Sequence, residues 1–333
     1  MLAMAACKKS SSPTPVVTPV TPVTPVTPVT PAAADVYILG TTASGNVYWK
    51  NGVETAINGF SGFKCTAIAV NGNDVYVTGN LQNANGSNTA AYWKNGTATM
   101  LSNGSISTEA TAIAVSGSDV YVAGYTDSVH INGIHTVVAY YWKNGIASRL
   151  SDSTIYGSAS AIAVNNSDVY VAGTSGDYAA YWKNGLLTTL SDGSTKASAF
   201  AIEISGNDVY VAGFVTINNY NPAFNGVYWK NGTAVMINDP GLDPVVALAV
   251  SGSDVYTAGY TSGINPENAA YWKNGTITTL PAPAVNSTNF LISGIAVNGT
   301  DVYTAENNGY WKNGVFVQLT DCTSTAGIIV VSQ

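Results

Sequence analysis

The chain has 333 residues, a net charge of −7 and only 9% charged residues. It is long enough for one large repeat domain and too poor in basic groups to build a nucleic-acid-binding stripe. No apolar run approaches the roughly 18 residues that span a bilayer, and a sequence rich in Gly, Ser, Thr and Asn without helical periodicity points to an all-β protein.

The first segment, residues 1–11, contains "LAMAAC" followed by "KKSSS". Small residues before Cys7 resemble the lipobox of bacterial lipoproteins, which implies a lipidated cysteine and attachment to the bacterial cell envelope, at the outer membrane or cell surface. Six residues precede Cys7, fewer than a charged region plus an apolar stretch of about 7–15 residues requires. The alternative is an ordinary cysteine in a tail. In residues 12–34 a proline recurs every third position from Pro19 to Pro31. That period matches polyproline II, so the segment reads as a semi-rigid spacer on the order of 60 Å long. A spacer suits a domain held at a distance from a membrane through a lipid anchor.

Residues 35–333 are repetitive, and repeats take precedence over motifs. "DVY" starts at Asp35, Asp74, Asp119, Asp168, Asp208, Asp254 and Asp301, with steps of 39 to 49 residues. "YWKNG" starts at Tyr48, Tyr92, Tyr141, Tyr181, Tyr228, Tyr271 and Tyr310, and holds all seven tryptophans. A short apolar run such as "AIAV" at Ala67, Ala112 and Ala161 precedes every DVY but the first. Each unit reads as four strands. Strand A is the AIAV run, B starts at DVY, C ends in YWK, and D follows an Asn-Gly hairpin turn. Four antiparallel strands at this period make a propeller blade. The unit resembles kelch-type and WD-repeat propellers, with strand order closest to kelch, although the kelch diglycine is a single glycine here and no WD dipeptide occurs. The first unit lacks strand A, and the chain ends with an unpaired apolar run, Ala326 to Val331. The expected fold is therefore a seven-bladed β-propeller whose C-terminal strand joins the N-terminal blade and closes the ring.

The repeated residues read as frame. Antiparallel pairing brings each DVY aspartate near a YWKNG lysine and sets Val near Trp; seven cross-strand ion pairs follow. The opposing readings are a ring of metal-binding or catalytic carboxylates, and tryptophans that stack on sugars. Cys65 and Cys322 precede strands of neighbouring blades, which leaves open a disulfide or two separate thiols.

Variation is concentrated elsewhere. The distance from Trp to the next DVY is 25 to 29 residues, whereas from the DVY aspartate to the next YWKNG it is 9 to 22. The B–C loops vary, and they share one face with the D–A connections. Six tyrosines outside the motifs fall in or beside those segments: Tyr125, Tyr140, Tyr156, Tyr178, Tyr220 and Tyr260. Tyr among Asn, Ser and Gly suits binding. The candidate ligand-binding set is Tyr125, His130, His135, Tyr140, Tyr178, Tyr220 and Tyr260. Two glutamates break the repeat: Glu203 replaces a small strand-A residue, and Glu306 replaces the glycine that ends strand B elsewhere. A hydrolase or lyase acting on polysaccharide would use them as an acid/base pair, or use the histidines as bases or metal ligands. The leading expectation is a monomeric, non-catalytic, lipid-anchored propeller that needs no cofactor or metal and binds an extracellular glycan or protein through its variable face.

Overall fold

A computed structural model describes residues 34–58, 62–131, 134–216, 224–237, 242–261, 268–281 and 292–332; the side chains of residues 128–135, 242–243 and 268 lie outside that description. Among the described residues the chain forms seven four-stranded antiparallel sheets and no helix. Blade 1 comprises strands A (Cys322–Ser332), B (Ala34–Thr42), C (Gly45–Lys50) and D (Val53–Ala56). Blade 2 runs A (Phe63–Asn71), B (Asp74–Gln82), C (Asn88–Lys94) and D (Thr97–Met100). Blades 3 to 7 repeat that order from strands A at Thr108–Ser116, Gly157–Asn165, Ala197–Ser205, Leu242–Ser251 and Ile292–Asn298. The A strands neighbour one another around the ring, so the taper is lined by the smallest repeat residues.

Seven hydrophobic clusters occupy the seven seams, and each takes one face from each of two blades. At the seam of blades 2 and 3, Ala67 and Ala69 of one strand A meet Ile113 and Val115 of the next, with Tyr76 and Tyr92 facing Trp142. The two-residue alternation of a strand makes this possible: alanines point to the following blade, Ile and Val to the preceding one. All seven tryptophans are buried, at 0–4% exposure. The Trp position in strand C faces the residue after DVY, as in Val77↔Trp93, and not the DVY valine.

Strand A carries a bulge in every blade, as between Ala159 and Ala161. Opposite it, in blades 1 to 6, stands the glycine of strand B; in blade 7 Glu306 takes that place. A Cβ on Gly173 would lie 1.9 Å from the Ser158 carbonyl oxygen, and one on Gly213 would lie 1.9 Å from that of Ser198. The bulge pushes a carbonyl into the space a side chain needs, which explains the repeated glycine.

The C-terminal strand pairs with strand B of blade 1 along its length, from Ala34↔Ser332 to Thr42↔Cys322. Ring closure is as expected, but the strand starts at Cys322, four residues earlier than the apolar run alone marks. Both ends of the described chain therefore adjoin beside the A–B turns.

Candidate functional site on the loop face

The frame accounts for the repeated polar groups. Both residues of each Asn-Gly turn have positive φ, 51° and 81° at Asn51 and Gly52. The Asn184 Oδ1 accepts from the Val169 amide at 2.9 Å, and its own amide donates to the Val169 carbonyl at 2.9 Å. Its Nδ2 donates to Asp168 Oδ1 at 2.8 Å, while Lys183 Nζ reaches Asp168 Oδ2 at 2.8 Å. The lysine also lies 5.1 Å from the centroid of Tyr170. All seven blades repeat this ion pair, at 2.7–2.9 Å. In strand register the lysine opposes the DVY tyrosine, and the aspartate reaches it diagonally. The Lys183 ammonium and the Asn184 amide hold the Asp168 carboxyl below its usual range. Each carboxylate is thus occupied on both oxygens by its own blade.

The opposite end of the strands presents the variable loops. There, between blades 2 and 3, a cleft of about 510 Å³ is lined by Lys64, Asn80, Gln82, Asn88, Glu109 and Tyr125 among others. Register explains the gathering. Lys64 opposes Asn80, Gln82 opposes Asn88, and Glu109 opposes Tyr125. Asn80 is buried and staples the blades together. Its Oδ1 accepts from the Ala110 amide at 2.7 Å and its Nδ2 donates to the Ala110 carbonyl at 3.3 Å, beside the bulge at Thr111. Asn88 Nδ2 donates to Glu109 Oε1. Burial raises the Tyr125 hydroxyl, and Glu109, Tyr156 and Asp127 push it the same way. A second cleft, of about 650 Å³, surrounds the short B–C hairpin of blade 1 and shares Gly62 with the first.

No family model matches the chain, and no curated protein matches it. Solved structures do. The chain is similar to one in the crystal structure of a nidogen/laminin complex, at 10% identity over 90% of this chain and 98% of that one, with a TM-score of 0.46. It is similar to the tricorn protease at 9% identity, with a TM-score of 0.45, over 79% of this chain and 26% of that one.

The expected site residues separate on this fold. Tyr125 lines the cleft. Tyr140 lies on the next strand but turns into the seam of blades 2 and 3, stacked on Trp142 with centroids 5.9 Å apart. The Tyr260 hydroxyl donates to the Ile292 carbonyl of the next blade at 3.1 Å. Tyr178 is exposed in blade 4, its ring against Gly193. The side chains of His130 and His135, and all of Tyr220 and Cys7, lie outside the described residues. Cys65 and Cys322 are free thiols.

The two odd glutamates serve separate blades. Glu203 takes an alanine position on strand A and so faces blade 6, where its Oε2 accepts from the Val250 amide at 3.1 Å. Burial raises its carboxyl to about 7. Glu306 is 1% exposed; its Oε2 accepts from Trp311 Nε1 at 2.6 Å, and its Oε1 is buried without a hydrogen-bond partner. Burial raises this carboxyl too. Gly309 stands directly opposite Glu306, so the small residue of this cross-strand pair sits on strand C.

Glu109 and Lys64 escaped the sequence reading. Each lies three residues before the AIAV run of its blade, at Ala112 and Ala67. Opposite charges at one repeat position in adjacent, charge-poor blades were the available signal.

Proposed function

We propose that the protein is a binding module whose loop face takes an extracellular ligand, a glycan or a protein segment, in the cleft between blades 2 and 3. The observation that carries this reading is the convergence of Lys64, Asn88, Glu109 and Tyr125 from two blades onto one 510 Å³ cleft. A half-buried carboxylate and amide with an aromatic ring supply directional hydrogen bonds plus an apolar surface, the mixture expected of a specific site. Lys64 enters none of the seven frame ion pairs, so an acidic group on the ligand has a cation available to it. Glycan-array screening followed by titration tests this. Tyr125→Ala and Glu109→Gln are expected to weaken the best hit at least tenfold; unchanged affinity in both would overturn the assignment.

In the same proposal the domain is carried on a tether lipidated at Cys7, in a bacterial envelope. The partial lipobox and the proline period support it. A Cys7→Ser protein expressed with its full leader is expected in the soluble fraction; persistence in the membrane pellet would refute the anchor.

A further inference from the structure

A different set of clefts runs along the seams between blades and reaches the Asn-Gly turns; the one between blades 1 and 2 shares Ala56, Ile57 and Asn58 with the cleft of about 650 Å³. Between blades 6 and 7 the cleft measures about 550 Å³. Tyr271 and Thr278 form one wall, and Val302, Asn313 and Gly314 the other. Between blades 1 and 2 it measures about 270 Å³, with Tyr48 and Thr55 facing Val75, Asn95 and Gly96. These are the same five positions of the repeat. The first wall is set by register, because the YWKNG tyrosine opposes the hydroxyl residue of strand D in Tyr48↔Thr55 and Tyr271↔Thr278. The same approach exists between blades 2 and 3, where a Cβ on Gly145 would lie 4.0 Å from Thr99 Cγ2, and Tyr92 opposes Thr99. Ser148 and Thr188 repeat the hydroxyl opposite Tyr141 and Tyr181, whereas Val235 and Val317 replace it in blades 5 and 7.

What the clefts offer is set by what the frame has already used. The lysine beside each cleft is held by its aspartate, as Lys273 is by Asp254 at 2.7 Å. The turn asparagine has both side-chain atoms engaged, as Asn313 does with the Val302 amide and Asp301. No unspent charge remains on these walls. What remains is one half-buried phenol ring, a threonine or serine hydroxyl and a valine. An anion gains nothing there. A neutral ring with an apolar face and a rim of hydroxyls matches both kinds of surface.

We infer that the blade seams form a circular array of weak sites for the sugar units of a neutral polysaccharide, separate from the loop-face cleft. Each site alone is shallow; several engaged by one polymer bind through avidity. Mobility of the purified domain in native gels containing laminarin, dextran or hydroxyethylcellulose, with polygalacturonate as the acidic control, tests it. Thr55→Arg and Thr278→Arg plug the two clefts and Thr188→Arg blocks the equivalent position of blade 4, all from exposed strand positions, and unfolding midpoints verify that the variants fold. At least one neutral polymer is expected to retard the wild type. One plug should weaken binding about twofold and all three by about tenfold or more. Retardation should survive Tyr125→Ala with Glu109→Gln. No retardation by any neutral polymer, retardation that the folded triple variant keeps, equal retardation by polygalacturonate, or loss only in the loop-face variant would each overturn the inference.

Discussion

The turn asparagine does more than allow a hairpin. It holds positive φ, bonds the DVY valine in both directions and fixes the aspartate that pairs the lysine. Replacing Asn184 by Ala removes the two side-chain bonds and leaves in the left-handed conformation a residue that tolerates it less well than Asn. Urea denaturation is expected to show a loss of about 1–3 kcal/mol, with Asn184→Gly losing less because its backbone is unstrained there. Glu203 gives a pH signature. Its carboxyl titrates near 7 in the fold against 4.5 when exposed. Below 4.5 it is neutral in both states. Between 4.5 and 7 the unfolded chain releases its proton first, so stability falls as pH rises through that window, by about 1–3 kcal/mol. Glu203→Gln should flatten this decline; an unchanged pH profile would show that the carboxyl is not held neutral. Most of the frame was legible at this scale because seven copies repeat it. The roles of Tyr140 and Tyr260 were not, because a strand residue's face is known only once register is fixed, and both turned into seams.

At the scale of the element, the bulge of strand A and the glycine of strand B are one device. Gly173→Ala would force the new methyl against the Ser158 carbonyl oxygen; a loss of more than about 3 kcal/mol is expected, or failure to fold. The sequence displayed the glycine in six blades and hid its cause, since the bulge leaves no residue signature: Thr66, Thr111, Ser160, Phe200, Val246 and Ser293 all occupy the bulged position. Some of these side chains bond the next blade, as Thr66 Oγ1 does with the Ala110 carbonyl at 2.8 Å. Strand D, in contrast, is four residues long and mostly exposed. A short outer edge limits edge-to-edge association, and its tolerance makes it the place to plug a cleft without unfolding the blade.

For the whole molecule, stability rests on seams that each use two blades. Trp182 is 1% exposed between blades 3 and 4, and Trp182→Ala is expected to cost about 3–5 kcal/mol. Blade 1 depends on its borrowed strand. Deleting residues 326–333 removes the pairing from Ala34↔Ser332 to Leu39↔Gly327 and takes Ile328 and Val330 from the seam with blade 7. Loss of cooperative unfolding by circular dichroism is the expected outcome; a truncated protein that unfolds like the full domain would show that closure adds nothing.

The sequence by itself determined the blade count, the strand order, the closure and the face that varies. Each follows from local periodicity repeated seven times, and repetition averages out local ambiguity. Only the tertiary structure decided which side chains meet across seams. That depends on register, on bulges and on the rotation from one blade to the next, none of which is written in any single repeat. Hence Glu109 and Lys64, separated by 45 residues in the chain, came together in one cleft unannounced, and seven identical tyrosines acquired walls supplied by their neighbours.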